Sequence, residues 1–438
     1  MKSAACCRAP ALSAMVVVIA SAAQAAGAES LEEAWEIATA RDQSYAAVQS
    51  EVVAAREQVE AARAQRNPTI ALNGAFTQLE DSPAFDFSAA GLPVQLPEIF
   101  DDDNFANAGV MVRLPLYTGG RITSGIEAAR AQLEASEAVG AGALQDLRIA
   151  VARAYVNVLL ARSRLQVAET NVGTLEAYAG DVRAMFAREV VPRNDLLAAE
   201  VALADARQNL LRARNGEELA TSGYNRLLGQ PLDREVELEP VLPQIAGELA
   251  ALPQSTLVER ALEARPELLA LEAQARALGS QAESERARLK PQFGVSGSYL
   301  YFENEALDRD TFAAASIGFE WAIFDGGQIR SRAASLRASQ QATAQRANDF
   351  RSRIELGVRQ AWLAVEEGRA RVAVTREAVA QAEENLRITR EQYAAGLSTS
   401  TRVLEAETLR VQSLLNRDEA VLDANLAALE LARAVGEL

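Results

Sequence analysis

Pro115-Leu116-Tyr117-Thr118-Gly119-Gly120 and, 207 positions later, Ala322-Ile323-Phe324-Asp325-Gly326-Gly327 decide how this chain is read. Before each double glycine, apolar residues recur at every second position, the period of a strand with two unlike faces. After it they recur at every third or fourth position, the period of a helix. The same offset aligns Tyr155 with Trp362, Phe186 with Tyr393, Leu197 with Leu404 and Gly229 with Gly436 without a gap. Upstream the offset is 223, pairing Asn67-Pro68 with Lys290-Pro291 and Ala38 with Ala261, so the first copy carries 16 extra residues between its strands. The chain is one unit written twice, and a repeat of this kind sets the fold.

Each unit reads helix, strand, strand, helix. An opening helix is expected over Leu31 to Arg66 and again over Ser255 to Leu289, each closed by a proline that cannot continue it. Strands are expected at about 68–79 and 105–117, then at about 291–302 and 312–324. In the first pair Ile70, Leu72, Gly74 and Phe76 share one face, while Thr69, Ala71, Asn73 and Thr77 share the other. Long helices follow at 119–188 and 326–395, and each returns through a short turn into a second helix, at 195–228 and 400–435. A narrow stripe through Ile122, Ile126, Leu133, Leu147, Val151, Val158, Leu165, Val172, Leu175 and Val182 spans nearly the whole first long helix. At 1.5 Å per residue such a helix is about 100 Å long, several times a domain diameter. The repeats are therefore 29–229 and 255–438, joined by a proline-containing connector at 230–254.

Residues 1–28 read as a secretory signal peptide: Lys2 and Arg8, an apolar run from Ala11 to Ala23, then small residues before Glu29. Cys6 and Cys7 precede that run, so its removal leaves no thiol, and neither sits where a lipidated cysteine would. Removing Lys2 and Arg8 moves the formal charge from −16 to −18, which argues against nucleic acid as a partner. The chain has no histidine, the commonest metal ligand and the usual general base near neutral pH. No catalytic, cofactor or metal site is expected. The acidic run Asp101-Asp102-Asp103, in a loop from Glu80 to Asn104, lacks the spaced ligands of a calcium loop and reads as solvated surface.

Four strands with an apolar face cannot hide it in water when the helical stripes are committed to other helices. Lipid is the solvent that suits them, and strands of about 9 to 11 residues suffice to cross it. An open sheet edge is forbidden there, and about eight strands are the least that close a barrel, so several chains must join. A soluble coiled-coil rod would explain the helices and leave the strands without a purpose.

The two double-glycine motifs, Arg265-Pro266-Glu267-Leu268, the turn Tyr393-Ala394-Ala395-Gly396-Leu397-Ser398 and the following Val403-Leu404-Glu405-Ala406-Glu407 together resemble the TolC-like outer-membrane efflux proteins over nearly the whole mature chain. The resemblance implies a mainly α fold with a small transmembrane β part: a homotrimer with a 12-stranded β-barrel in the outer membrane joined to a 12-helix α-barrel in the periplasm. It implies the outer-membrane channel of a tripartite efflux or type I secretion system, a passive duct with no enzymatic activity and no cofactor. Its partners would be outer membrane lipid, a periplasmic adaptor protein and an inner-membrane pump of RND, ABC or MFS type. The alternatives are a periplasm-spanning structural tether and a stand-alone outer-membrane porin.

By the same resemblance the gate lies at the helical turns. The family's inward-pointing acids fall on Arg402 and Glu405, only one of them acidic, and its tyrosine and opposing acid fall on Tyr393 and Asp195. The basic position of that contact falls on Ser398, with Arg402 the candidate replacement. Val190, Val191, Gly396, Leu397 and Ser398 would meet the adaptor.

Overall fold

The structure, a computed structural model, describes residues 28–80, 104–240, 249–303 and 308–438. The leader expected at 1–28, but for its last residue, and nearly all of the acidic loop between the first strands lie outside the described residues. The chain runs α1 (Leu31–Arg41), α2 (Gln43–Ala64), β1 (Thr69–Gln78), β2 (Asn104–Tyr117), α3 (Arg121–Ala187), α4 (Arg193–Leu227), α5 (Gln254–Ala264), α6 (Pro266–Arg286), β3 (Gln292–Phe302), β4 (Thr311–Glu320), α7 (Gln328–Ala394) and α8 (Ser400–Val435). It is mainly helical, and α3 and α7 are each 67 residues long.

Two expected boundaries are corrected. The opening helix of each repeat is two helices, broken at Asp42 and at the equivalent Arg265, with backbone angles of −66°, 119° and −65°, 115°. At Arg265 the cause is the following Pro266, whose ring drives the preceding residue out of the helical region. At Asp42 the side chain leaves the helix to accept the Tyr45 N–H at 2.7 Å and cap the next one. The second correction concerns β4, which stops at Glu320 rather than near 324. Its neighbour β3 starts at Gln292, opposite Glu320, directly after a proline that has no N–H to offer. Trp321 turns away and donates from its indole to the Leu289 carbonyl at 3.0 Å.

The four strands form one antiparallel sheet in the order β1-β2-β3-β4. Among the described residues β1 and β4 each pair on one side only. Rows such as Ile70–Val112–Gly297–Ala315 and Leu72–Val110–Tyr299–Ala313 place the apolar residues on one face. Ile70, Leu72, Phe76, Ile317 and Phe319 on that face are about 70% exposed. On the central strands the opposite face is the better covered, so the sheet curls with its apolar face outward.

The helices lie side by side. In the half next to the strands the order is α2-α3-α6-α7; in the far half it is α4-α3-α8-α7. No helix among the described residues is long and apolar enough to cross a membrane.

Where the halves meet, α1, α5 and part of the connector fill out the main core. The Tyr155 hydroxyl donates to the Glu29 carbonyl at 2.8 Å and lies equally close to that of Glu239. Tyr224 donates to the Glu29 carboxylate, which Arg234 also meets at 3.0 Å. Burial first, then the neighbouring carboxylates, hold both phenols above their usual range, so they stay protonated donors.

The Arg265-Pro266-Glu267-Leu268 motif belongs to this region. Arg265 donates to the carbonyls of Arg433 and Ala434 at the end of α8, where a cation is favoured. Pro266 opens α6, Glu267 accepts from Arg433, and Leu268 is buried. Burial, the largest single influence, would raise the Glu267 carboxyl; the Arg433 bond, its own backbone N–H and the charges of Arg433 and Arg265 together outweigh it and hold the group below the usual carboxylate range.

Both double glycines adopt left-handed angles just before the long helices, with φ of 64° and 96° at Gly119 and Gly120 and of 67° and 87° at Gly326 and Gly327. A Cβ on Gly119 would stand 2.7 Å from the Lys290 Cβ and 3.1 Å from the Ala287 carbonyl, whereas one on Gly326 meets nothing within 4 Å. The left-handed angle alone costs an alanine about 1–2 kcal/mol. Gly326→Ala should lower stability by about that amount and Gly119→Ala by clearly more; equal shifts in thermal unfolding of the two variants would contradict the crowding at Gly119.

Candidate gate at the helical tip

At the end remote from the strands, α3 turns into α4 and α7 into α8. Both turns close with the N–H of one residue reaching back five positions: Val190 to the Met185 carbonyl at 3.0 Å, and Leu397 to that of Gln392 at 2.8 Å. Such a turn needs one left-handed residue. Gly396 supplies it in the second copy, with φ of 72°, but the equivalent position in the first copy is Glu189, with φ of 61°. Only the first turn carries backbone strain.

Beneath the turns lies a second apolar cluster that includes Leu175, Ala179, Val182, Ala199, Leu386 and Val403. A file of polar groups crosses it. The Ser400 hydroxyl of α8 and the Tyr178 hydroxyl of α3 are 2.9 Å apart, the Tyr178 and Tyr393 rings are 6.0 Å apart, and the Tyr393 hydroxyl of α7 donates to Asp195 of α4 at 3.2 Å. Four residues tie all four helices together. Burial pushes both phenols up; at Tyr393 the Tyr178 hydroxyl and the Asp195 carboxylate add to it. The contribution these neutral phenols make is thus present below the usual phenol value of about 10 and lost as pH rises above it.

Tyr178, Tyr393, Asp195 and Ser400 correspond across the repeat to Asn385, Phe186, Arg402 and Arg193, so every member is matched by an unlike residue. That mismatch was the available signal for Tyr178 and Ser400, which sequence reasoning missed. Glu407 was missed too. Its carboxylate is buried between α7 and α8, 2.5 Å from Arg410 and 3.5 Å from Arg390. The equivalent pair of the first copy, Arg183 and Glu200 at 2.7 Å, is exposed.

Arg402 and Glu405, one turn into α8, are exposed, and neither makes an ion pair among the described residues. Arg402 does not reach the Tyr393–Asp195 contact. Val190 and Leu397 project from the turns, 68% and 80% exposed. Gly396 is exposed as well. Val191 instead packs against the tip cluster, and the Ser398 hydroxyl is buried. Among the described residues no cluster of acidic, histidine or cysteine side chains is arranged to hold a metal ion.

Comparison with known proteins gives one answer. Residues 34–229 and 257–437 match the outer membrane efflux protein family. The outer membrane efflux protein BepC of Brucella suis is 24% identical over 338 residues, covering 75% of this chain and 72% of that one. The fold is that of the outer membrane protein VceC of Vibrio cholerae, with a TM-score of 0.79, 18% identity, and 93% and 96% of the two chains covered. The Campylobacter jejuni CmeC outer membrane channel gives 0.79 at 13% identity, covering 93% of this chain and 85% of that one. The matched segments are the two repeats, with the break between them falling in and beside the connector, and by that match the chain belongs to the outer membrane efflux protein family.

Proposed function

We propose that three copies of this chain close into a 12-stranded barrel in the outer membrane, continued by a 12-helix tunnel that projects into the periplasm. The assembly is a passive exit duct that receives cargo from an inner-membrane pump through a periplasmic adaptor. Family membership supports the channel role and the outer membrane location.

The observation that carries the assembly is a pair of apolar stripes. On α7, Leu356, Leu363, Val374 and Ile388 fall within about 40° of one another around the helix, opposite the face buried against α6 and α8. On α4, Leu197, Val201, Leu211 and Leu219 fall within about 80°, opposite the buried Ala199, Ala206, Ala220 and Tyr224. These helices form the two flanks of the far half, so the stripe of one copy is placed to meet that of the next. The free edges of β1 and β4 lie on the same two flanks and close with them.

Tyr393 and Asp195 form the gate's latch in this reading. Arg402 and Glu405 line the passage just inside it as a ring of mixed charge, and Val190, Val191, Gly396, Leu397 and Ser398 form the adaptor contact, with Val190 and Leu397 as its projecting knobs.

Leu363→Asp with Val374→Asp should leave the helix content intact and convert the trimer to monomers in detergent, because both side chains are exposed until the flanks meet. A trimer that survives both charges, by light scattering, would refute this pairing. Tyr393→Phe with Asp195→Ala removes a hydrogen bond to a carboxylate, worth about 2 kcal/mol, at three places in the trimer. Single-channel conductance in planar bilayers should then rise severalfold, and an unchanged conductance would rule out the latch.

A further inference from the structure

The face of the sheet opposite the apolar one is not uniformly polar. Next to the helices it carries Thr69, Gln292, Ser296, Ser298 and Ser316, as suits a water-filled interior. Toward the loops large apolar side chains join Asn73 and Asn107 on it. Leu300 and Phe312 share a row with Gly109, and the Leu300 side chain lies over that glycine, its Cδ2 2.5 Å from where a Cβ would stand. The Phe105 and Phe302 rings lie 5.2 Å apart just beyond, tilted by 42°. These four side chains form a collar on the concave wall, where lipid does not reach.

One cation stands below it. Among the residues of the four strands only Arg113 and Glu320 are charged. Glu320 lies four residues beyond Ser316, the row mate of Arg113, which is about 13 Å along the strand, and the two make no ion pair among the described residues. The Arg113 guanidinium leans toward the collar, 3.8 Å from the Met111 sulfur. A charged group, then a thioether, then aliphatic and aromatic side chains follow one another up the wall.

We propose that this wall is a binding strip for amphipathic organic anions, with Arg113 meeting the anionic group and Leu300 and Phe312 meeting the apolar body. The inference rests on the closed barrel proposed above, which turns the concave face into a lumen with three such strips. An unpaired guanidinium favours an anion over a cation of the same shape, and the collar favours an aryl or alkyl body over a bare ion. Cargo leaving the duct would pause here according to its chemistry, the last selective surface before the exterior.

The test is single-channel recording in planar bilayers with three probes added in turn at the loop end: naphthalene-2-sulfonate, methanesulfonate and benzyltrimethylammonium. Wild-type channels should show resolvable interruptions with the naphthalene sulfonate alone. Arg113→Gln and, separately, Leu300→Ser with Phe312→Ser should each shorten those interruptions about tenfold, the loss of one charge-assisted or one apolar contact. Interruptions no longer than those with methanesulfonate, or unchanged in Arg113→Gln, would overturn the strip while leaving a conducting duct. A wild-type chain that never conducts would overturn the duct, before any probe is added. Should the double variant fail to insert, Arg113→Gln decides alone, because its side chain is exposed.

Discussion

The outer edges of β1 and β4 each present a row of backbone N–H and C=O groups with no strand beside them among the described residues. In water such an edge is tolerable. Beside lipid it is not, because every unpaired group there costs several kcal/mol. The apolar face beside those edges leaves lipid as the solvent, and four strands are about half the number that closes a barrel. One chain therefore cannot satisfy its own backbone in that solvent, and in the proposed assembly its two flanks are met by copies of itself. The helices impose the same demand in another currency: the far flanks carry leucine and valine where a finished surface would be charged.

Duplication accounts for most of what is regular in the molecule, and its failures mark what is special. The kink at Asp42 is matched by that at Arg265, the strand pairs match, and the ion pair between Arg183 and Glu200 recurs as Arg390 and Glu407. At the tip the copies part. The file from Ser400 through Tyr178 and Tyr393 to Asp195 has no counterpart, and the recurring ion pair is buried in the second copy alone. A contact made once per chain can draw four helices to a single point, whereas a contact made twice would hold two neighbouring hairpins alike. The equatorial core, built round Tyr155, Tyr224 and Glu29, lies apart from that point.

Much of this was legible in the sequence because its signals are local and periodic. A period of two becomes a strand, a period near 3.5 becomes a long helix, and a double glycine marks the change between them. The breaks at Asp42 and Arg265 were missed although Pro266 was in plain view, because apolar periodicity continues through both joints and conceals them. The end of β4 was misjudged because a strand stops where its partner stops, and the partner of Glu320 is Gln292, far upstream. Tyr178, Ser400 and Glu407 were invisible singly: a tyrosine, a serine and a glutamate on helices 200 residues apart acquire meaning only through packing. Comparing the repeats position by position exposes the first two, while Glu407 stays hidden because its counterpart Glu200 is the same residue in a wetter place.

The equal length of α3 and α7, 67 residues each, makes the two helices a matched pair of rulers. Both start at a double glycine on the same sheet and both end at a turn, so their common length fixes which residues meet at the rim, Ser400 against Tyr178 and Tyr393 against Asp195. A residue gained by one helix alone would tilt that rim by about 1.5 Å and rotate every later side chain by about 100° out of its stripe. Length can change only in both helices together, and only in steps near seven or eleven residues that restore the stripe to its neighbour. The span of the tunnel is therefore quantised, and relatives built on this plan should differ in reach by whole steps rather than by single residues.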